Sequence, residues 1–140
     1  MPRTGPLLKA SGGLNVTWEV LSAAMKDLIV LSDPRGVIFY ASPASRLLGY
    51  EPHELIGLSA ADLVHSDDRA RFSAETRALF EPDGVERSGA RTHRYRRKDG
   101  SFVWLEGHPS LLPSGPGGPP AGVLDVLRDV TGRSADQAGS

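Results

Sequence analysis

The stretch DLIVLSDPRGVIFYAS, residues 27–42, decides the fold class of this chain. It contains two short runs rich in β-branched and aromatic residues, 28–32 and 37–41, which are typical of β-strands. The sequence Asp-Pro-Arg-Gly at 33–36 separates the two runs, and these residue types favour a tight turn. The stretch therefore predicts a β-hairpin.

Three more strands are predicted in the second half of the chain, at residues 90–98, 101–111 and 122–130. Asp99 and Gly100 make the first connection a tight hairpin, because this pair of residues favours a two-residue turn. The second connection, PSGPGGPPAG, is predicted to be a long loop, since its prolines cannot donate hydrogen bonds to a sheet. Five strands are therefore expected in total.

Short helices are predicted between the hairpin and the last three strands. One begins at Pro43 and extends to residue 48, and another has Pro52 in its first turn and extends to residue 56. Proline suits a first helical turn because its φ is already helical and its missing N–H is not needed there. A longer helix is predicted from Ser66, as its cap, to about residue 80, with acidic residues near its N-terminus that interact favourably with the helix dipole.

The two ends of the chain have different patterns. Residues 1–13 include several glycines and prolines and show no periodicity, so we expect a flexible leader. In residues 14–26 the apolar side chains recur at steps of three and four, which predicts an amphipathic helix. Residues 134–140 are polar and are predicted to be a disordered tail or the start of a linker to an effector domain.

The composition excludes several classes of function. A chain of 140 residues suffices for one domain with one core. The absence of cysteine excludes disulfides, zinc-thiolate and iron-sulfur sites and a cysteinyl flavin adduct. Sixteen Lys plus Arg against seventeen Asp plus Glu give a net charge of -1, so no global field attracts nucleic acid or an anionic membrane.

Transmembrane, enzymatic and nucleic-acid-binding motifs are also missing from the sequence. No apolar run approaches the roughly 20 residues that cross a bilayer, and no signal peptide is recognisable, so we expect a cytoplasmic location. The common nucleophile, phosphate-binding, dinucleotide and zinc-protease motifs do not occur. The basic run 91–98 carries its charges on both faces of a strand, which is typical of a solvated edge rather than a nucleic-acid groove. We therefore predict no catalytic activity, no metal site and no nucleic-acid binding.

Six motifs occur here in the order in which they occur in the PAS family, and the chain resembles that family over residues 14–133. They are DPRGVIFYASPA at 33–44, LLGY at 47–50, ELIG at 54–57, HSDDR at 65–69, RRKDGS at 96–101 and RDVT at 128–131. Two residues depart from the family pattern: Ser42 stands where Asn is frequent, and Asp125 stands where the last strand often has Gly.

The resemblance implies an α+β fold, in which short helices cover one face of a five-stranded antiparallel sheet and the N-terminal amphipathic helix covers the other. A pocket is expected between the short helices and the sheet. Strand alternation groups Arg91, His93 and Tyr95 on one face, and the resemblance directs that face toward the pocket. The small Gly107, on the inward face of the next strand, leaves volume that a ligand can fill. We therefore predict a ligand site formed by Arg91, His93, Tyr95, Phe72, Leu105 and Gly107.

Two interpretations of these residues are open. A buried arginine beside a histidine is costly unless an anion or a carboxylate pairs with it, so one interpretation is a site for an acidic metabolite. In the other, Arg91 lies in solvent at the frayed start of its strand, while His93 and Tyr95 cap the core with satisfied hydrogen bonds.

The cofactor, if there is one, is not identified by the sequence. Photoactive members of the family carry a flavin-binding cysteine where this chain has Ala60, which excludes that photochemistry. One subclass of haem-binding members has its proximal histidine where this chain has Phe72. His65 and His93 keep haem-based gas sensing as an alternative, and noncovalent flavin also stays open.

The resemblance implies a non-catalytic sensor domain that binds a small ligand or a partner and passes a conformational signal to an attached effector, such as the histidine kinase of a two-component system. It also implies a homodimer formed through the sheet and the N-terminal helix, with the residues Trp18, Leu21, Met25, Phe102 and Trp104. The alternative is that the same residues pack the helix on the sheet within a monomer. Asp129 and Thr131 match the family motif at the exit to the effector. The alternative function is that of a ligand-free scaffold for dimerisation or docking.

Overall fold

The computed structural model describes residues 26–131 and, further toward the N-terminus, two short strands, β1 (Leu7–Lys9) and β2 (Asn15–Thr17). These strands pair antiparallel. This corrects two expectations, because part of the predicted leader and the first turn of the predicted helix are extended. The β-branched Val16 and Thr17 favour that conformation. The rest of the predicted helix, including Trp18, Leu21 and Met25, and the predicted tail lie outside the described residues.

The five predicted strands form a single antiparallel sheet, which confirms the fold class. In the order β4-β3-β7-β6-β5, neighbouring strands are hydrogen-bonded to one another. Each strand lies within two residues of its predicted bounds. The strands are β3 (Leu28–Ser32), β4 (Ile38–Ala41), β5 (Arg91–Arg96), β6 (Phe102–Leu112) and β7 (Gly122–Asp129).

The helices lie between β4 and β5 in the chain, as predicted. Two are 3₁₀ helices, at Pro43–Leu48 and Ala60–Leu63, and three are α-helices, α1 (Pro52–Leu55), α2 (Ser66–Ala78) and α3 (Gly84–Ser88). Among the described residues, no helix combines the length and the apolar composition needed to cross a membrane.

Three details of the helices differ from the prediction. The 3₁₀ helix at Ala60–Leu63 was not predicted. The N-cap of α2 is His65 and not Ser66, because the Nδ1 atom of His65 accepts a hydrogen bond of 3.0 Å from the backbone N–H of Asp67. The short helix α3 was not predicted, since its sequence is rich in turn residues. It packs closely on the end of α2: a Cβ added at Gly84 would lie 2.1 Å from the carbonyl oxygen of Ala78. Such a contact cannot be recognised from a local pattern.

One hydrophobic core fills the space between the helices and the inner face of the sheet. The alternating residues of each strand supply one side of it, because successive side chains of a strand point to opposite faces. Among the core residues that lie on helices, Phe72 of α2 has the largest side chain. The buried members that pack together are Leu28, Val30, Ile38, Ala41, Leu48, Leu55, Leu63, Val64, Phe72, Tyr95, Val103, Leu105 and Leu127.

Candidate functional site

A cavity of about 290 Å³ lies between the inner face of the sheet and the helices. Side chains of β3 and β7 form its apolar floor, and residues of α2 form one wall. The turn between β3 and β4 and the second 3₁₀ helix also contribute to the lining, as do Ile38, Leu48, Arg91 and Tyr95. The cavity is therefore enclosed by the elements that the resemblance placed around a pocket, and most of its lining is apolar.

Arg91 is buried in this cavity wall, with 5% of its surface exposed. Its Nη1 donates a hydrogen bond of 3.0 Å to Oγ1 of Thr76, and its Nη2 donates one of 3.2 Å to Oδ2 of Asp125. The guanidinium carbon also lies 5.1 Å from the centroid of the Phe72 ring, an arrangement that favours a cation–π interaction. Arg91 is thus not at a frayed strand end in solvent, and its anionic partner belongs to the same chain.

Asp125, like Thr76, is a residue of the candidate site that sequence reasoning missed. It is 8% exposed, and burial raises the pKa of its carboxyl group while the charge and hydrogen bond of Arg91 oppose that rise. A signal was available in the sequence, because Asp125 is the one charged member of the inward set that it forms with Val123 and Leu127. Arg91 stands on the inward face of another strand, and a buried arginine requires a buried acid.

Gly107 pairs with Leu127 across β6 and β7, and the Asp125 carboxylate reaches it diagonally from two residues away. A Cβ added at Gly107 would be 2.8 Å from Oδ1 of Asp125 and 2.9 Å from Cδ2 of Leu127. The volume that the missing side chain leaves is therefore filled by residues of β7. This corrects the expectation that Gly107 provides space for a ligand, because side-chain atoms of Asp125 and Leu127 already occupy that space.

We predict that Gly107→Ala destabilises the domain without unfolding it. Overpacking a core costs about 1–3 kcal/mol, and we expect the lower end of this range because both clashing atoms are ends of side chains, which can shift. Chemical denaturation monitored by circular dichroism measures the loss. Gly57→Ala is not a suitable control because of its positive φ; Ala74→Ser, at an exposed site, serves instead. An unchanged midpoint for Gly107→Ala would contradict the close approach.

The six predicted site residues separate into two groups. Phe72, Arg91 and Tyr95 line the cavity, whereas His93, Leu105 and Gly107 lie beside it. His93 is buried and its Nε2 lies 2.9 Å from Oε1 of Glu75, on the side of α2. Burial is the main cause that lowers the pKa of His93, and the hydrogen bond to Glu75 opposes the shift.

The geometry gives no support to haem ligation by the two histidines. Neither His65 nor His93 lines the cavity. His65 uses Nδ1 to cap α2, and its ring packs 4.5 Å from that of Phe102 on the outer side. Within residues 26–131 no group of three or more His, Asp or Glu side chains is arranged to hold a metal ion.

The exit motif, Asp129 and Thr131, is closed by one internal hydrogen bond and joined to β6 by another. The backbone N–H of Thr131 donates to Oδ1 of Asp129 at 2.9 Å, and Oγ1 of Thr131 accepts from the backbone N–H of Trp104 at 3.2 Å. Of the two described residues predicted at a dimer interface, Phe102 is 42% exposed and Trp104 is half-buried. The guanidinium of Arg94 lies 5.4 Å from the centroid of the Trp104 ring.

A sequence profile described as the PAS fold matches residues 37–122. The chain belongs to the PAS family. Among solved structures, the PAS domain of a protein from Colwellia psychrerythraea matches 81% of this chain and 94% of its own, with 27% identity and a TM-score of 0.69. A sensory box histidine kinase/response regulator from Burkholderia thailandensis matches 87% of this chain and 90% of its own, with 25% identity and a TM-score of 0.61.

Curated relatives of this PAS domain include a basic helix-loop-helix protein and a blue light receptor. The human basic helix-loop-helix ARNT-like protein 2 is 32% identical over 98 residues, which are 69% of this chain and 14% of that protein. The blue light receptor lreB of Aspergillus flavus is 30% identical over 102 residues, which are 69% of this chain and 20% of that protein. This chain spans a fifth or less of these relatives' length. It is a PAS sensory and signalling domain, and the activity of a whole protein is a separate question.

Proposed function

We propose that this PAS domain is a ligand-responsive module that binds a small, largely apolar metabolite in its internal cavity. The observation that carries the proposal is the cavity of about 290 Å³, with an apolar floor and a polar group of Arg91, Thr76 and Asp125 at one wall. An apolar pocket with a few convergent polar groups is the usual form of a small-molecule site. The residues Phe72, Arg91 and Tyr95 are the part of the predicted site that belongs to this proposal.

A continuous set of contacts joins the cavity to the exit motif. The cavity wall includes Phe72 and Thr76 of α2. In the first turn of the same helix, Asp68 accepts hydrogen bonds from Arg94, whose guanidinium lies over Trp104. The backbone of Trp104 in turn bonds to Val130 and Thr131. We propose that a shift of α2 on ligand binding reaches the end of β7 by this route and changes the state of an attached effector.

The proposal also includes an attached effector domain and a homodimer. The similarity to a sensory box histidine kinase/response regulator and the greater length of the curated relatives support an output domain in a longer protein, in two-component or related signal transduction. We propose a cytoplasmic location for it. The homodimer contact on the outer face, through Phe102 and Trp104, is the part of the proposal that the family resemblance implies, and Phe102 is 42% exposed there. A scaffold that dimerises or docks without a ligand is the competing function.

Ligand binding is tested by a thermal-shift titration with indane, a compact bicyclic hydrocarbon. At a free concentration ten times its Kd, we expect the probe to stabilise the domain by about 1.4 kcal/mol, which raises Tm by several degrees. Ser73→Leu, on the cavity-facing side of α2, should reduce the shift by taking up part of the cavity. Native mass spectrometry of the purified domain measures a retained metabolite and the oligomeric state together.

Ala74→Leu is the matched control, because it adds the same side chain at the next position of α2, which is exposed and does not line the cavity. This variant should keep the full shift. An absent shift in the unmodified domain, together with no retained mass, would favour the scaffold function. An equal shift in Ser73→Leu would place the binding site elsewhere.

A further inference from the structure

The charged side chains that line the cavity are divided between its interior and its open side. Arg91 and Asp125 are buried in the interior and pair with each other. Arg35, in the turn between β3 and β4, and Arg77, in the last turn of α2, also line the cavity but are exposed to solvent. The interior pair has no net charge, so the excess positive charge lies where the cavity meets solvent.

The two exposed arginines lie at the same end of the sheet. The turn between β3 and β4 begins directly after Ser32, which pairs with Val123 near the start of β7. Two residues further along β7, Asp125 bonds to Arg91, and Arg91 bonds to the residue that precedes Arg77 on α2. The turn and the C-terminal half of α2 therefore border one opening of the cavity.

Three side chains at this end, Arg35, Ser73 and Arg77, form what we term the mouth of the cavity. Ser73 lies one turn before Arg77 on the same face of α2, because residues four apart are neighbours on a helix. Arg35 donates one hydrogen bond, of 3.3 Å, to Asp33 and keeps its other guanidinium donors. Within the described part of the chain, the side chains of Ser73 and Arg77 have no hydrogen bond or ion pair. The mouth thus offers free donors and one unneutralised positive charge.

We propose that the ligand of this cavity is a medium-chain carboxylate, whose apolar chain fills the interior and whose carboxylate is bound at the mouth by Arg77, Arg35 and Ser73. This proposal rests on the proposed function of the cavity and names the chemical class of its ligand. The planar guanidinium group matches the geometry of a carboxylate. Because the head group stays at the edge of solvent, it keeps part of its hydration and avoids the cost of burying a charge.

The size and lining of the interior set the apolar part of the ligand. An apolar cavity of about 150 Å³ holds a benzene molecule, so a cavity of about 290 Å³ has room for roughly eight to twelve carbon atoms. The aliphatic floor of Leu28, Val30 and Leu127 suits an alkyl chain. The sequence assigned an acidic ligand to Arg91. Asp125 already neutralises that arginine, so the anionic group of the ligand is assigned to the mouth.

A series of three probes with the same alkyl chain tests the proposal by isothermal titration calorimetry at pH 7 and low salt. The probes are octanoate, 1-octanol and octylammonium, which differ in the charge of the head group. We expect octanoate to bind about fivefold more tightly than octanol, which corresponds to about 1 kcal/mol of interaction with partly exposed charges. Octylammonium should bind more weakly than octanol. The preference for octanoate should shrink in about 0.5 M NaCl, because salt screens exposed charges.

Arginine-to-glutamine variants at exposed positions assign the preference to the mouth. Arg77→Gln should lower the preference for octanoate over octanol to about twofold, since it removes most of an interaction worth about 1 kcal/mol, and the double variant Arg35→Gln, Arg77→Gln should abolish it. Octanol affinity should stay unchanged in both. Arg96→Gln is the matched control, because it removes the same charge from an exposed residue at the other end of β5, which does not line the cavity. This control should keep the full preference.

The outcomes that would overturn the proposal are distinguishable from failure of the cavity function. Equal affinities for octanoate and octanol, or tightest binding by octylammonium, would reject the carboxylate and leave the cavity function in place. A preference for octanoate that persists in the double variant would reject the mouth as its site. Saturating indane should weaken octanoate binding, and independent binding of the two would place octanoate outside the cavity. No binding by octanol, octanoate or indane would overturn the proposed function together with the ligand class.

Discussion

Arg91→Met is expected to lower the free energy of unfolding by about 3–5 kcal/mol at neutral pH, because it leaves Asp125 buried without its partner. An independent argument gives a similar size. The usual pKa of an aspartate is 3.8, so protonating Asp125 at pH 7 costs about 4 kcal/mol at roughly 1.4 kcal/mol per pH unit. Because many domains have only 5–15 kcal/mol of stability, equilibrium denaturation by urea will detect this loss readily.

The loss should depend on pH in a defined direction. Burial raises the folded-state pKa of Asp125, and removing Arg91 removes the main group that opposes this rise. The folded variant then binds a proton that the unfolded chain does not hold above pH 4, so its stability relative to the unmodified domain increases as the pH falls. We expect the penalty to shrink by about 1.4 kcal/mol per pH unit from pH 7 toward pH 5.

The double variant Arg91→Met, Asp125→Leu is the control for this prediction. It removes both charges and keeps an apolar side chain of similar size at each position, and replacing a buried ion pair in this way is often neutral or stabilising. It should recover most of the lost stability and show no added pH dependence. A penalty below about 1 kcal/mol for Arg91→Met, or one that does not change with pH, would contradict the buried ion pair.

Asp68→Asn is expected to cost about 2 kcal/mol at neutral pH and to make the domain less sensitive to acid. Asp68 accepts hydrogen bonds from the backbone N–H of Arg94 at 2.9 Å and from its Nε and Nη2 at 3.1 and 2.8 Å. The side-chain bond from Arg94 is the main cause that lowers the pKa of Asp68 to about 2. Each pKa unit corresponds to about 1.4 kcal/mol of folding free energy.

The sign of this pH effect is opposite to that of Asp125. The folded-state pKa of Asp68 lies below its usual 3.8, so its contribution is complete above about pH 5 and is lost as the pH falls toward 2. Acid titration of stability should therefore be flatter for Asp68→Asn than for the unmodified domain over this range.

Asp67→Asn is the matched control, because Asp67 precedes Asp68 in the first turn of α2 and its side chain is 75% exposed. We expect a change within about 0.5 kcal/mol for this surface substitution. Equal effects of the two substitutions would mean that helix electrostatics, and not the bonds to Arg94, explain the role of Asp68. That result would also remove one contact from the proposed route between the cavity and the exit motif.

The sequence by itself determined the sheet and most of the helices. Alternation of apolar residues, the turn at 33–36 and the prolines at 43 and 52 are local signals, and each element forms where its own residues favour it. The inward set Arg91, His93 and Tyr95 was also predictable, since alternation fixes which side chains share a face. The family resemblance supplied the direction of that face, and all three residues are buried.

Only the tertiary structure decided the chemistry of the cavity. Arg91 and Asp125 are 34 residues apart in the chain, and they meet because β6 lies between their strands in the sheet and pairs with both of them. Gly107 on that strand leaves room for the carboxylate, although in the sequence it indicated an empty volume. The physical reason is that periodicity records which face a side chain occupies, whereas charge pairing and filled volume depend on which strands become neighbours.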